Sequence, residues 1–210
     1  MYSEKRALPA FHSIILKGIG NVYIQQGDKH SVEIASNQDI YGKIRTKVQN
    51  GELIISFRDP FPVWLISMPR LDITVTAGDI MMCKVKGAGK MVSREMLKGK
   101  NIQVINTGVG SMFLEVEARA LTTILKGVGE IEIRGRAEQH HVEVSGTGKI
   151  NAYDLEARDV TVDSRGVGEC IVHATGTLDV NSSGIGRVKY RGSPILNSRQ
   201  SGLGRIEKIS

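Results

Sequence analysis

GVGEIEIRG, Gly127–Gly135, sets a glycine pair around one residue and then alternates polar and apolar side chains. Two readings compete for such a stretch. A phosphate-binding loop needs its glycines to lead into a helix whose N-terminus holds the anion. A structural turn needs only a backbone free of Cβ and a strand to follow. Here strand residues follow, and no GxxxxG precedes Lys90, the nearest lysine after such a pair, so the phosphate reading lacks its context.

Working outward, GxG recurs at Gly87, Gly108, Gly127, Gly146, Gly166, Gly184 and Gly202, at intervals of 21, 19, 19, 20, 18 and 18 residues. A period in this range marks a solenoid, in which one coil cannot bury its apolar face alone and stacking closes a continuous core. Aligned on the first glycine, one column reads Met91, Met112, Ile131, Ile150, Cys170, Val188, Ile206. Six residues before each pair lie Met81, Ile102, Leu121, His140, Val160, Leu178, Leu196, and four before it Cys83, Val104, Thr123, Val142, Val162, Val180, Ser198. The last two columns differ by the strand period of two, so both are expected to point inward. The fold expected is an all-β parallel β-helix whose seven coils span roughly 29 Å at strand spacing. VSREMLKGK, 92–100, is too short and glycine-broken to form a stable helix.

The N-terminal third keeps the rhythm less strictly. FHSIILKGIGNVYIQQGDKHSVEIAS reads as alternating strands around Gly18-Ile-Gly20, and KIRTKVQNGELIISF as a hairpin turning at Asn50-Gly51. RDPFPVWLISMPR, with three prolines, Phe61 and Trp64, is expected to belong to an irregular or antiparallel cap over the open first coil. The chain is thus read as one β-solenoid domain over 1–210, with cap and first strands in 11–66 and regular coils in 67–210. At the other end, Arg205, Glu207 and Lys208 either blunt the last strand or form an oligomer contact.

Charge and composition exclude several functions. The net charge is +6, but 28 Lys and Arg are interspersed with 22 Asp and Glu, with no arginine block or stacking series for nucleic acid. No window approaches the roughly 18 apolar residues of a membrane span. The start, MYSEKRALPAF, has no apolar signal region; read literally this leaves a cytoplasmic protein, and a mature exported chain behind a new Met1 reads the same way.

No catalytic, cofactor or metal residues are assigned. His140 sits in an inward column and reads as a neutral, hydrogen-bonded core histidine, with His141 solvated; His12, His30 and His173 are scattered without ligand spacing. Cys83 and Cys170 read as buried apolar residues roughly 20 Å apart, beyond disulfide reach. The best enzyme lead is acidic: Asp154, Glu156, Asp159, Asp163, Glu169 and Asp179, with Asp159 and Asp179 read as one column and Asp163 matched by Asn181.

FHSIILKGIGNVYIQQG together with VEVSGTGKINAYDLEARDVTVDSRGVGECIVHATGTLDVNSSGIGRVKYRG resembles the bacterial auto-transporter adhesin head GIN-domain family, over Phe11 to Ile209. The resemblance implies a right-handed β-helix, an exported or cell-surface setting, and an adhesin label with no catalytic residues to carry over. The function expected is a non-catalytic envelope module binding an unidentified envelope or extracellular glycan or protein. A polysaccharide lyase or hydrolase using outward carboxylates, and a scaffold self-assembling into homo-oligomers, are the alternatives.

Overall fold

The computed structural model describes residues 2–58 and 70–209. The proline-rich segment with Phe61 and Trp64 lies outside the described residues. The strands are β1 (Tyr2–Ala7), β2 (Ser13–Leu16), β3 (Ile19–Gln26), β4 (Ser31–Ser36), β5 (Ile44–Gln49), β6 (Glu52–Phe57), β7 (Leu71–Ala77), β8 (Met82–Val85) and β9 (Ala88–Ser93). They continue as β10 (Leu97–Asn106), β11 (Val109–Leu125), β12 (Val128–Val144), β13 (Thr147–Ser164), β14 (Val167–Ser182), β15 (Ile185–Arg191), β16 (Ile195–Gln200) and β17 (Arg205–Lys208). A single 3-10 turn, Tyr41–Lys43, is the one helical element among the described residues. Residues 92–100 hold the end of β9, a bend and the start of β10, not a helix.

These strands join one curled sheet, and from β8 onward every pairing among the described residues is parallel. The counted columns are the hydrogen-bonded register. Met91, Met112, Ile131, Ile150, Cys170 and Val188 stack directly, and each is at most 2% exposed. Within one coil the inward set is Met112, Leu114, Val116, Ala118, Leu121, Thr123 and Leu125; its period-two alternation slips between Ala118 and Leu121, where the strand bends around the coil.

Coil lengths differ because the sheet absorbs the difference in bulges. The β12–β13 pairing shifts between Glu132 and Gly135, and β13–β14 shifts between Ala152 and Glu156 and between Ala157 and Asp159. The glycine corners stay in register throughout. One brace there comes from the fully buried Asn106, whose side-chain amide donates to the Gly110 carbonyl at 3.0 Å while its Oδ1 accepts from the Gly108 amide at 3.0 Å.

The inward columns fail at their two ends. Met81 keeps its backbone place, donating to the His12 carbonyl at 2.7 Å and accepting from the Gln103 amide at 2.8 Å, yet its side chain is 48% exposed. Ile80, 1% exposed, fills the core instead, because the chain enters β8 from a bend at Gly78 and an irregular segment rather than from a continuing strand. In the last coil Leu196 and Ser198 hold their register opposite Leu178 and Val180 but are exposed, since among the described residues no coil stacks beyond β16.

The N-terminal part is threaded non-sequentially. β2 lies between β6 and β8, and β3 between β7 and β9, all in parallel. Gly18-Ile-Gly20 is therefore a further member of the glycine ladder: Ile19 and Gly20 lie opposite Ala88 and Gly89, far along the chain. Beyond this coil the sheet turns antiparallel. β5 covers β6, β4 covers β7, and β1 covers β4. The β5–β6 hairpin turns at Asn50 and Gly51 with φ of 52° and 73°, the left-handed pair of a tight primed turn.

Both cysteines are free and buried, and burial pushes each thiol up to about 12. A group so far from thiolate form is a poor nucleophile. We expect no reaction of a disulfide reagent with the native protein within minutes, and release of both thiols in denaturant. Rapid native labelling would show that the coils open locally.

Candidate functional site

The outward faces of the coils are where chemistry can occur, since the inward columns are filled. The six acidic candidates lie on these faces but do not converge. Asp159 lies opposite Thr177 and Asp179 opposite Thr161, so the two are a diagonal pair two strand positions apart and not one column. Period-two alternation keeps both outward without bringing them face to face. Asp163 does lie opposite Asn181.

Five of the six are held by a partner in a neighbouring coil, and among the described residues Glu156 has only register neighbours. Asp159 accepts from Thr177 Oγ1 at 2.8 Å, Asp163 from Asn181 Nδ2 at 3.2 Å, and Asp179 from Asn197 Nδ2 at 3.0 Å. Glu169 pairs with Lys189 at 2.7 Å and Lys149 at 3.6 Å, and the Lys189 hydrogen bond holds its carboxyl below the usual range. Asp154 faces Arg134 at 3.9 Å, and Glu156 lies between Arg136 and His173 in register. These are rungs between coils. A glycosidase needs two carboxyls flanking one bond, one of them kept protonated. Asp159→Asn and Asp179→Asn should each change unfolding free energy by no more than about 1 kcal/mol; a larger loss would show that the ladder carries more of the fold.

A shallow charged groove runs along the corner made by Gly99, Ala118 and Ala137. Its rim alternates in sign: Glu117 accepts from Arg136 at 2.5 Å and lies 3.7 Å from Lys98, while Arg119 faces Glu138 at 3.5 Å. The Arg136 hydrogen bond holds the Glu117 carboxyl below its ordinary value. Charges neutralised in this way form a solvated surface. Among the described residues no group of three or more His, Cys, Asp or Glu could hold a metal ion, and no helix is long and apolar enough to cross a membrane.

His140 is inward, 2% exposed, with its Nε2 2.9 Å from Thr123 Oγ1 and its Nδ1 buried without a hydrogen-bond partner among the described residues. Burial, reinforced by His141, pushes it down to about 3, so it is the neutral core histidine expected. His141 is exposed.

Sequence reasoning passed over the residues inside the glycine pairs. Ile19, Val109, Val128, Val167, Ile185 and Leu203 are between 44% and 85% exposed and occupy one column. The signal was available: aliphatic residues recur at a position where flanking glycines provide nothing to pack against.

With this geometry established, likeness to known proteins places the chain. The Bacteroides fragilis protein described as a putative adhesin superposes with a TM-score of 0.94 at 27% identity, over 99% of this chain and 96% of that one. Two Parabacteroides distasonis structures share the fold: a putative adhesin (TM-score 0.75, 20% identity, 99% and 96% covered) and a putative lipid binding protein (0.73, 21%, 99% and 97%). No curated protein matches. The profile of the family described as "Putative auto-transporter adhesin, head GIN domain" matches residues 10–194, and the chain belongs to that family.

Proposed function

We propose that the protein is a non-catalytic, exported binding module of adhesin type, presenting the outer faces of a stiff rod to an envelope or extracellular glycan or protein. The observation that carries this reading is the engagement of outward carboxylates in rungs between coils, Asp159–Thr177, Asp163–Asn181 and Asp179–Asn197, which makes an ordered polar sheet over β13, β14 and β16. Such a sheet offers many weak, regularly spaced contacts. Likeness to the Bacteroides fragilis protein described as a putative adhesin, over nearly the whole of both chains, supports the same reading.

The test is a cell-envelope and glycan array probed with the purified protein, together with fractionation of cells expressing the native gene. Selective binding and recovery outside the cytosol are the expected results. Cytosolic recovery with no array signal would overturn the proposal. Cleavage of a polysaccharide that is lost in Asp159→Asn would replace it with the enzymatic reading.

A further inference from the structure

The column inside the glycine pairs forms a ridge. From Ile19 to Leu203 it runs through eight coils, roughly 34 Å at strand spacing, with Ala88 and Thr147 at its two smaller positions. Each side chain is flanked within its own coil by two residues without a Cβ, so the aliphatic groups stand out at the corner with their column neighbours above and below. An aligned set of exposed aliphatics on this scale marks an interaction surface.

The shoulders of the ridge carry a surplus of positive charge. Just before each glycine pair stand Lys17, Lys86, Lys126 and Arg165, with Thr or Ser at the other four positions of that column. Just after each pair stand Lys90, Lys149, Arg187 and Arg205, opposed by Glu130 and Glu169. The surplus of six positive charges on these two columns equals the net charge of the whole chain, +6. Some of these cations have partners: Lys126 and Arg165 share Glu143 at 3.2 and 3.6 Å, Lys149 meets Glu169 at 3.6 Å, and Lys90 lies over Phe113 at 4.5 Å. Lys17, Lys86, Arg187 and Arg205 make no ion pair among the described residues.

From this juxtaposition of an aliphatic crest and basic shoulders we infer that the ridge docks along an anionic phospholipid surface. The Val and Ile side chains would enter the boundary between headgroups and acyl chains, and the flanking Lys and Arg would meet lipid phosphates. Apolar insertion and attraction to anionic headgroups act together in such binding. A second copy of the chain fits poorly, since ridge against ridge would bring two surpluses of positive charge together. A soluble polyanion would use the shoulders but leave the crest unexplained, and the crest lacks aromatic rings on which sugars could stack. The inference is independent of the glycan or protein ligand proposed above, because the two tests can fail separately.

Co-sedimentation of the full chain with phosphatidylglycerol–phosphatidylcholine vesicles, against phosphatidylcholine alone, tests it. Binding to the anionic vesicles is expected to be at least about tenfold tighter and to weaken at high salt. V109T/V128T/V167T/I185T keeps the β-branched shape and should lower affinity at least roughly fivefold, with the thermal transition retained. K17E/K86E should do the same and serves if the first variant folds poorly. No binding to anionic vesicles at low salt, or unchanged binding by the threonine variant, would overturn the inference. So would equal affinity of both proteins for dextran sulfate matching that for vesicles, which assigns the ridge to soluble polyanions. A lipid-free dimer that the threonine variant abolishes would assign it to a second copy.

Discussion

Gly129→Ala is expected to remove more than about 4 kcal/mol of stability, the range reserved for a clash that the core cannot relax. Gly129 has φ of +142°, a conformation that L side chains rarely adopt, and a Cβ there would sit 1.9 Å from the Gly110 carbonyl oxygen and 2.9 Å from its carbon. Both atoms are backbone in the coil beneath. Relief would require the coils to part, breaking the ladder that pairs Val109 with Val128 and Gly110 with Gly129. The coil above is just as close, since a Cβ on Gly148 would lie 1.9 Å from the Gly129 oxygen. Gly204, where a Cβ would lie 2.5 Å from the Gly186 oxygen in the last coil, should cost less on substitution because β17 pairs on one side only among the described residues. Gly42 is the control, because a Cβ there would meet no atom within 4 Å, and Gly42→Ala should stay within about 0.5 kcal/mol. Urea unfolding of the three variants measures the series. A Gly129→Ala protein as stable as Gly42→Ala would mean that the coils are not held at this spacing.

The second large effect lies in the core and depends on pH. T123V/H140L should be at least as stable as the parent at neutral pH and much less sensitive to acid. In the parent, His140 keeps one hydrogen bond, to Thr123, and buries Nδ1 without one. Removing both polar partners discards an unsatisfied group, whereas Thr123→Val alone strands the other ring nitrogen and should cost about 1–3 kcal/mol. The sign of the pH effect follows from the direction of the shift. Burial takes His140 from 6.5 down to about 3, so the folded protein favours the neutral ring. That contribution is complete above the unfolded value of 6.5 and is lost as pH falls toward about 3, by up to about 1.4 kcal/mol per pH unit. Carboxylates such as Glu117 and Glu169 also lose their ion pairs in acid, so the measurement is the difference between parent and double variant across this window. Parallel stability curves for the two proteins would show that the imidazole is not desolvated as the fold implies.

Much of this molecule could be read before folding it. The apolar column from Met91 to Val188, the inward His140 and the Asn50-Gly51 turn all follow from short-range rules: a two-residue alternation, a coil period, and a backbone preference. Met81 shows the limit of those rules. Its position relative to Gly87 was right for the backbone, but the preceding bend at Gly78 sends Ile80 inward in its place. Asp159 and Asp179 stand seven and five residues before Gly166 and Gly184, so the glycine count itself separates them; a shared outward face is not a shared register. One rung of the acidic ladder, Asp163–Asn181, was matched by counting back from the glycine pair, whereas Asp159–Thr177 and Asp179–Asn197 share glycine-relative positions in the same way and were passed over.

The coil, its inward columns and the glycine corners are properties of the residues alone, because each depends on local periodicity and on the missing Cβ. The order of the stack is not. Backbone hydrogen bonds are indifferent to distance along the chain, so it is long-range packing that places the coil at Ser13–Gln26 between β6–β7 and β8–β9, where Gly20 meets Gly89. The same packing turns the residue inside each glycine pair toward solvent. GVGEIEIRG thus contributes Ile131 and Ile133 to the core, while Val128, 52% exposed on a convex corner, is left to meet whatever the rod touches.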